Sequence, residues 1–179
     1  APQDARVWSG VGEAHHRQGN LDSADVAYQR ALDLWPDYEV LWSNMGLLHY
    51  ARGDTGAAEA AFRKALTLRP EWPEAQANLG RLLLNAGRVA EAAPLLGRAA
   101  ARSPSVGVLV NLGVAAAQDG RRDVAAQAFS EALRMQPEHP GALINLAALR
   151  LEQALAAPTA EGHQQLLAEA EQLSEAVIE

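Results

Sequence analysis

The sequence predicts an all-α protein built from helix-turn-helix repeats, and three observations support that fold class. Gly, Ala and Pro recur in the same order at a period of 34 residues, as Gly12, Gly46 and Gly80 show. Within each period, apolar residues return at the spacing of an amphipathic helix. Glycines and prolines separate these apolar stretches and mark the ends of the helices.

Five consecutive blocks follow from this period, and we expect each block to form one pair of helices. The first four keep the full pattern, although the spacing shortens to 33 residues between Gly80 and Gly113. The predicted blocks are residues 5–38, 39–72, 73–105, 106–139 and 140–179.

Each complete block carries its own helix-ending signals. A Gly between the two helices accepts positive φ and so ends the first helix in a tight turn. A Pro stops the second helix because it lacks an N–H group. Gly46 and Ala58 are small, so the helices of their pair approach closely and Phe62 fills the space beside them. The turn glycines are Gly19, Gly53, Gly87 and Gly120; the closing prolines are Pro36, Pro70, Pro104 and Pro137; the residues equivalent to Phe62 are Tyr28, Leu96 and Phe129.

The fifth block departs from the pattern. Its first helix is predicted over 140–156, with Ala154 in place of the turn Gly. A longer loop around Pro158 follows, and a second helix is predicted over 162–178. Because the end of a repeat array needs a polar outer face, we expect this block to form a terminal capping pair.

These recurring residues resemble the signature of the tetratricopeptide repeat family. The second block carries it most fully, in Trp42, Met45, Gly46, Ala58, Phe62, Ala65 and Pro70. The resemblance implies a right-handed α-solenoid whose first helices line a concave groove. Two family positions vary, and we expect these changes to weaken individual interfaces. The family's Trp is replaced by Gln76 and Leu109, and its Tyr by His15, His49 and Leu83.

Composition excludes several classes of partner. The chain has 15 Lys and Arg against 22 Asp and Glu, a net charge of -7, which argues against nucleic acid and anionic membranes. It has no Cys, so disulfides and thiolate metal sites are excluded. No apolar run approaches the roughly 18 residues of a membrane span. We expect a soluble protein, cytoplasmic rather than periplasmic, and the Ala-, Arg- and Leu-rich composition is typical of a GC-rich bacterial genome.

Sequence motifs give no support for catalysis or for a cofactor. His15 and His49 share the position where the family has an aromatic, so they are expected to pack between helices rather than bind a metal. His139 and His163 fall in or beside turns and are expected to be solvated. No phosphate-binding loop, nucleophile elbow or metal-ligand spacing is present. We therefore predict no cofactor, no metal and no enzyme activity.

One set of polar residues recurs at a position that helix stability does not explain. An Asn recurs two residues before the in-phase Gly or Ala, although Asn is a mediocre helix former. The set resembles the groove asparagine ladder of O-linked N-acetylglucosamine transferase, whose amides hold a peptide backbone. The same phase is expected to bring Arg81 and several apolar residues into the groove. The ladder is Asn44, Asn78, Asn111 and Asn145; the apolar residues are Leu47, Tyr50, Leu84, Val110, Val114, Ile144 and Leu151.

The predicted function is a non-catalytic scaffold that binds a peptide segment or partner protein in this groove. A structural role for the ladder stays open, because each Asn could instead bond the neighbouring repeat. Two further alternatives are a substrate-recruiting module of a larger glycosyltransferase or hydroxylase, and a self-assembling scaffold whose groove or terminal face forms a homo-oligomer.

Overall fold

The computed structural model describes residues 2–177, which form ten α-helices and no β-strand. This confirms the predicted all-α class of helix-turn-helix repeats. We call the first helix of each pair an A helix and the second a B helix. The A helices are α1 (Pro2–Arg17), α3 (Glu39–Ala51), α5 (Pro73–Asn85), α7 (Val106–Gln118) and α9 (Pro140–Leu155); the B helices are α2 (Leu21–Leu34), α4 (Thr55–Leu68), α6 (Val89–Arg102), α8 (Arg122–Met135) and α10 (Ala160–Glu175).

The turns confirm the roles predicted for glycine and proline. The four turn glycines have φ between 72° and 79°, a region that other residues rarely adopt. They are Gly19, Gly53, Gly87 and Gly120. Each complete B helix ends before its closing proline, as α4 does at Leu68, ahead of Pro70.

The described chain divides into two compact units, Ala1–Leu82 and Leu83–Glu179, with the division inside α5. In the first unit, α3 packs against both α1 and α2. Its buried Leu41, Met45 and Leu48 join Tyr28 of α2 in one hydrophobic core. A Cβ added at Gly46 would lie 2.5 Å from Cε1 of Phe62, so only Gly allows α3 and α4 to pack at this distance.

The second unit repeats this arrangement. Helix α9 packs against α7 and α8, and its Leu146 and Leu149 enter a core with Phe129 of α8. A Cβ at Gly113 would overlap the Phe129 ring, which is the contact that Gly46 makes with Phe62. The small-against-large pairing expected from the sequence therefore appears in both units.

Charged side chains join successive pairs within each unit. Arg52, at the end of α3, donates to Asp22 Oδ1 at 2.8 Å and to Asp25 Oδ2 at 2.7 Å, both on α2. The hydrogen bond to Asp25 contributes most to raising the pKa of Arg52 above its ordinary value. In the second unit, Arg122 bonds Glu152 in the same way, from α8 to α9.

The degenerate fifth pair is present, with somewhat different ends. Its second helix begins at Ala160 rather than residue 162, because Thr159 Oγ1 accepts a hydrogen bond from the N–H of Gly162 and caps the helix. Residues 178 and 179 of the predicted segment lie outside the described residues. No helix within residues 2–177 is both long and apolar enough to cross a membrane.

Two histidines expected to be solvated are instead half-buried and bonded to the backbone. Nδ1 of His139 accepts from the N–H of Ala142 at 3.1 Å and caps α9. Nδ1 of His163 lies 2.9 Å from the carbonyl oxygen of Ala154. Backbone groups left unpaired at helix ends explain both positions.

Candidate peptide-binding site

The four ladder asparagines each lie on a different A helix, at the same position of the repeat. Each is half-buried and stands two residues before a Gly or Ala. That residue packs on a B-helix ring at Gly46 and at Gly113. Asn44 and Asn78 belong to the first unit, and Asn111 and Asn145 belong to the second.

Three of these amides have no hydrogen-bond partner within residues 2–177. They are Asn44, Asn78 and Asn111, and each is accessible to a ligand because it is not fully buried. A primary amide offers two N–H donors and one carbonyl acceptor, which match the donor and acceptor of a peptide unit. The hydrogen-bonding capacity of the three side chains is therefore unused by the described protein.

Asn145 differs from the other three. Its Nδ2 donates to the carbonyl oxygen of Gly141, four residues earlier in α9, at 2.6 Å. This bond uses one N–H group of the amide inside its own helix. Asn145 is thus the least available member of the ladder.

Two of the predicted groove residues of the first unit meet directly. The guanidinium carbon of Arg81, on α5, lies 4.7 Å from the centre of the Tyr50 ring, on α3. This cation–π contact places both side chains on one surface of the unit. Arg81 has no carboxylate partner within residues 2–177, so its N–H donors can receive an acidic group.

The apolar residues expected in the groove differ in their exposure. Leu47 is half-buried on α3. Val110 and Val114 are half-buried on α7, where they pack against the core that contains Leu146. Leu84 is only 8% exposed, so little of its side chain can meet a ligand.

Gln76 performs a role that the sequence did not reveal. Trp42 Nε1 donates to the carbonyl oxygen of Pro36 at 2.7 Å. Gln76, one repeat later, donates through Nε2 to the carbonyl oxygen of Pro70 at the same distance. The amide therefore preserves the hydrogen bond of the Trp that it replaces, and the expectation of a weaker contact overlooked this donor.

The titratable groups of the described residues were compared with the arrangements that bind metal ions. Within residues 2–177, no cluster of His, Asp and Glu is arranged to hold a metal ion. Burial, with a smaller contribution from Glu13, raises the pKa of Tyr28 to about 12. Tyr28 belongs to the core of the first unit and not to the ladder surface.

Comparison with family models identifies the repeat. One model described as tetratricopeptide repeat matches residues 3–71, and a second with the same description matches residues 43–106 and 110–178. The chain belongs to the tetratricopeptide repeat (TPR) family. No curated protein sequence matches this TPR protein significantly.

Solved structures share the TPR fold across nearly the whole chain. PilF of Pseudomonas aeruginosa has a TM-score of 0.81 at 20% identity, covering 98% of this chain and 76% of PilF. A solved chain of MamA from Desulfovibrio magneticus RS-1, residue 41 to the end, has a TM-score of 0.80 at 20% identity, covering 97% of this chain and 94% of the solved one. YrrB, described as a TPR protein with an unusual peptide-binding site, has a TM-score of 0.80 at 21% identity, covering 96% and 87%. At this identity the similarities establish the fold alone.

Proposed function

We propose that this TPR protein is a non-catalytic scaffold that binds a peptide segment of a partner protein along its A helices. The observation that carries the proposal is the unused hydrogen-bonding capacity of Asn44, Asn78 and Asn111. Three half-buried amides at one position of the repeat are poorly explained by helix stability, because Asn disfavours helix interiors. The peptide-binding site ascribed to YrrB, a protein of the same fold, is consistent with this role.

The neighbouring residues define the peptide that fits best. Amides of Asn44 and Asn78 bond its backbone and therefore accept many sequences. Leu47 receives an apolar side chain. Arg81 receives a carboxylate, from an acidic residue or from the C-terminus of the peptide. We therefore expect a ligand in which apolar residues lie beside an acidic one.

The test begins with a random peptide library displayed on phage and selected on the full chain. Affinities of the selected peptides are then measured by isothermal titration for the wild type and for Asn44→Ala/Asn78→Ala, whose two amides both lie in the first unit. One neutral hydrogen bond contributes about 0.5–1.5 kcal/mol. Loss of two amides should therefore weaken binding roughly 10- to 100-fold.

Asn145→Ala is the matched control, since its amide is already bonded to Gly141. We expect this variant to lose less affinity than Asn78→Ala. Circular dichroism must show that all variants are as helical as the wild type. Equal peptide affinity in the wild type and the double variant would contradict the proposal and make the ladder structural.

A further inference from the structure

An open, mainly apolar groove of about 540 Å³ lies among three consecutive helices of the second unit, α6, α7 and α8. Helix α7 packs against both B helices and contributes Leu112 to the groove. Within the described residues, no ladder asparagine lines it. We call it the B-helix groove and define it by Gly97, Ala100 and Ala101 of α6, Leu112 of α7 and Val124 of α8.

The groove is open because α6 carries a smaller residue than the other complete B helices at one position. Ala100 stands where those helices have Leu. In the first unit, the equivalent Leu32 belongs to one core with Met45 of α3, which is 7% exposed. Leu112, the equivalent of Met45, is half-buried although α7 packs against B helices on both sides. A space of about one leucine side chain is therefore left beside Leu112. The leucines equivalent to Ala100 are Leu32, Leu66 and Leu133.

Three residues around the groove lack polar side chains at positions where the other complete B helices mostly carry them. Val124 is the largest of the three and is 37% exposed. Exposed positions gain no stability from apolar residues in the free protein, so their clustering around one groove indicates a surface that a partner covers. Gly97 replaces Gln29, Arg63 and Ser130; Ala101 replaces Asp33, Thr67 and Arg134; Val124 replaces Ser23, Ala57 and Glu91.

The charges at the groove restrict the chemistry of that partner. Glu131 lines the groove, and its carboxylate accepts hydrogen bonds from Arg134 Nε at 2.8 Å and from the Arg134 terminal nitrogen at 2.6 Å. This ion pair neutralises the groove wall, which favours an uncharged, apolar ligand face. Arg98, next to Gly97 on α6, is exposed and has no carboxylate partner within residues 2–177. An acidic residue at the edge of the ligand is complementary to it.

We infer that the B-helix groove binds an amphipathic helix of a partner protein, which inserts leucine-sized apolar side chains beside Leu112 and places an acidic residue near Arg98. Gly97 and Ala101 lie one turn apart on α6, so they allow another helix to approach closely. Apolar residues along one face of the bound helix then occupy the groove. This surface is distinct from the ladder asparagines, and the inference goes beyond the peptide site proposed for the A helices.

The probe is a phage-displayed library of amphipathic helices randomised along one face. It is selected on the full chain carrying Asn44→Ala/Asn78→Ala, so that the ladder contributes little to the selection. We expect the selected helices to share an apolar stripe with Asp or Glu at its edge. Arg98→Gln should weaken their binding, and the effect should shrink as salt is raised.

Substitutions that restore the residues of the other repeats then test the groove. Gly97→Arg/Val124→Glu introduces the residues that α4 and α6 carry at these positions, and Ala100→Leu restores the leucine without adding charge. In isothermal titration, both variants should bind the selected helices at least about 10-fold more weakly than the wild type. Ser23→Glu/Gln29→Arg places the same two side chains at the same repeat positions of α2 and is the matched control, which should bind like the wild type.

Folding should be retained, because a Cβ at Gly97 meets no atom within 4 Å and Val124 is exposed. Circular dichroism checks this for every variant. Since the ladder is removed from the selected chain, failure of the A-helix peptide site would leave these results unchanged.

Three results would overturn the inference. The first is a selection that yields no helix able to distinguish the wild type from Gly97→Arg/Val124→Glu and Ala100→Leu. The second is an equal loss of affinity in Ser23→Glu/Gln29→Arg, which would indicate a general effect of charge. The third is a wild-type dimer that Gly97→Arg/Val124→Glu converts to a monomer in sedimentation, which would make a second copy of the chain the occupant.

Discussion

A single hydroxyl group distinguishes the core of the first helix pair from its equivalents. Tyr28, Phe62, Leu96 and Phe129 share one position of the repeat, and Tyr28 is the polar member of that set. Its side chain is 0% exposed, and its hydroxyl has no hydrogen-bond partner within residues 2–177. A buried hydroxyl without a partner has lost its hydration and gained no bond in return.

Tyr28→Phe should therefore raise the free energy of unfolding at pH 7, by up to about 1 kcal/mol.

The variant also shows how ionisation of Tyr28 changes stability with pH. The pKa of Tyr28 is about 12 in the folded chain, against an ordinary value of 10.0. Between these two pH values the unfolded chain has therefore lost the Tyr28 proton, which the folded chain keeps. Wild-type stability should fall as pH rises through this window, by at most about 2.7 kcal/mol from this group.

Urea unfolding followed by circular dichroism at pH 7, 9.5 and 11 measures both effects. The other two tyrosines remain in the variant, so the comparison removes only the contribution of Tyr28. An identical fall in stability for wild type and variant above pH 10 would show that Tyr28 does not ionise differently in the two states.

At the level of helices, close packing within a pair depends on glycine at a single A-helix position. Cβ atoms added at Gly46 and Gly113 would overlap Phe62 and Phe129. Cβ atoms added at Gly97 in α6 and Gly107 in α7 would have no atom within 4 Å. Replacement of Gly by Ala should therefore destabilise the protein at the first two positions and stabilise it at the other two.

Gly46→Ala should destabilise the protein by about 1–3 kcal/mol, since α3 and α4 must move apart or the ring must leave its rotamer. Gly97→Ala should stabilise it by about 0.5–1 kcal/mol, because Gly is entropically unfavourable inside a helix. Thermal and urea unfolding of the two variants beside the wild type provide the measurement. Similar effects of both substitutions would mean that helix propensity, rather than the ring contact, governs position 46.

Helix limits were predictable because the residues that end them act on their own backbone. Gly53 accepts positive φ and Pro70 lacks an N–H wherever they occur in a chain. The small-against-large contact of Gly46 with Phe62 was predictable for a related reason, since both residues recur in phase. Local and repeated features thus account for most of the fold.

The candidate site was only partly predictable, because its details depend on side-chain rotamers. Sequence placed Asn145 in the ladder, but its bond to Gly141 depends on the rotamer that the side chain adopts on α9. Gln76 looked like a loss of the family Trp, yet its amide reaches the same carbonyl group.

At the level of the whole molecule, the division into two units separates the aromatic residues of the protein. All four tryptophans, Trp8, Trp35, Trp42 and Trp72, lie in the first unit, and Phe129 is the one aromatic residue among Phe, Tyr and Trp in the second. Intrinsic tryptophan fluorescence therefore reports on the first unit, whereas far-ultraviolet circular dichroism sums the helices of both. Denaturation curves from the two signals would coincide if the units unfold together and would separate if they unfold in turn. The tryptophans thus act as a built-in fluorescent probe of the first unit, and no added dye is needed.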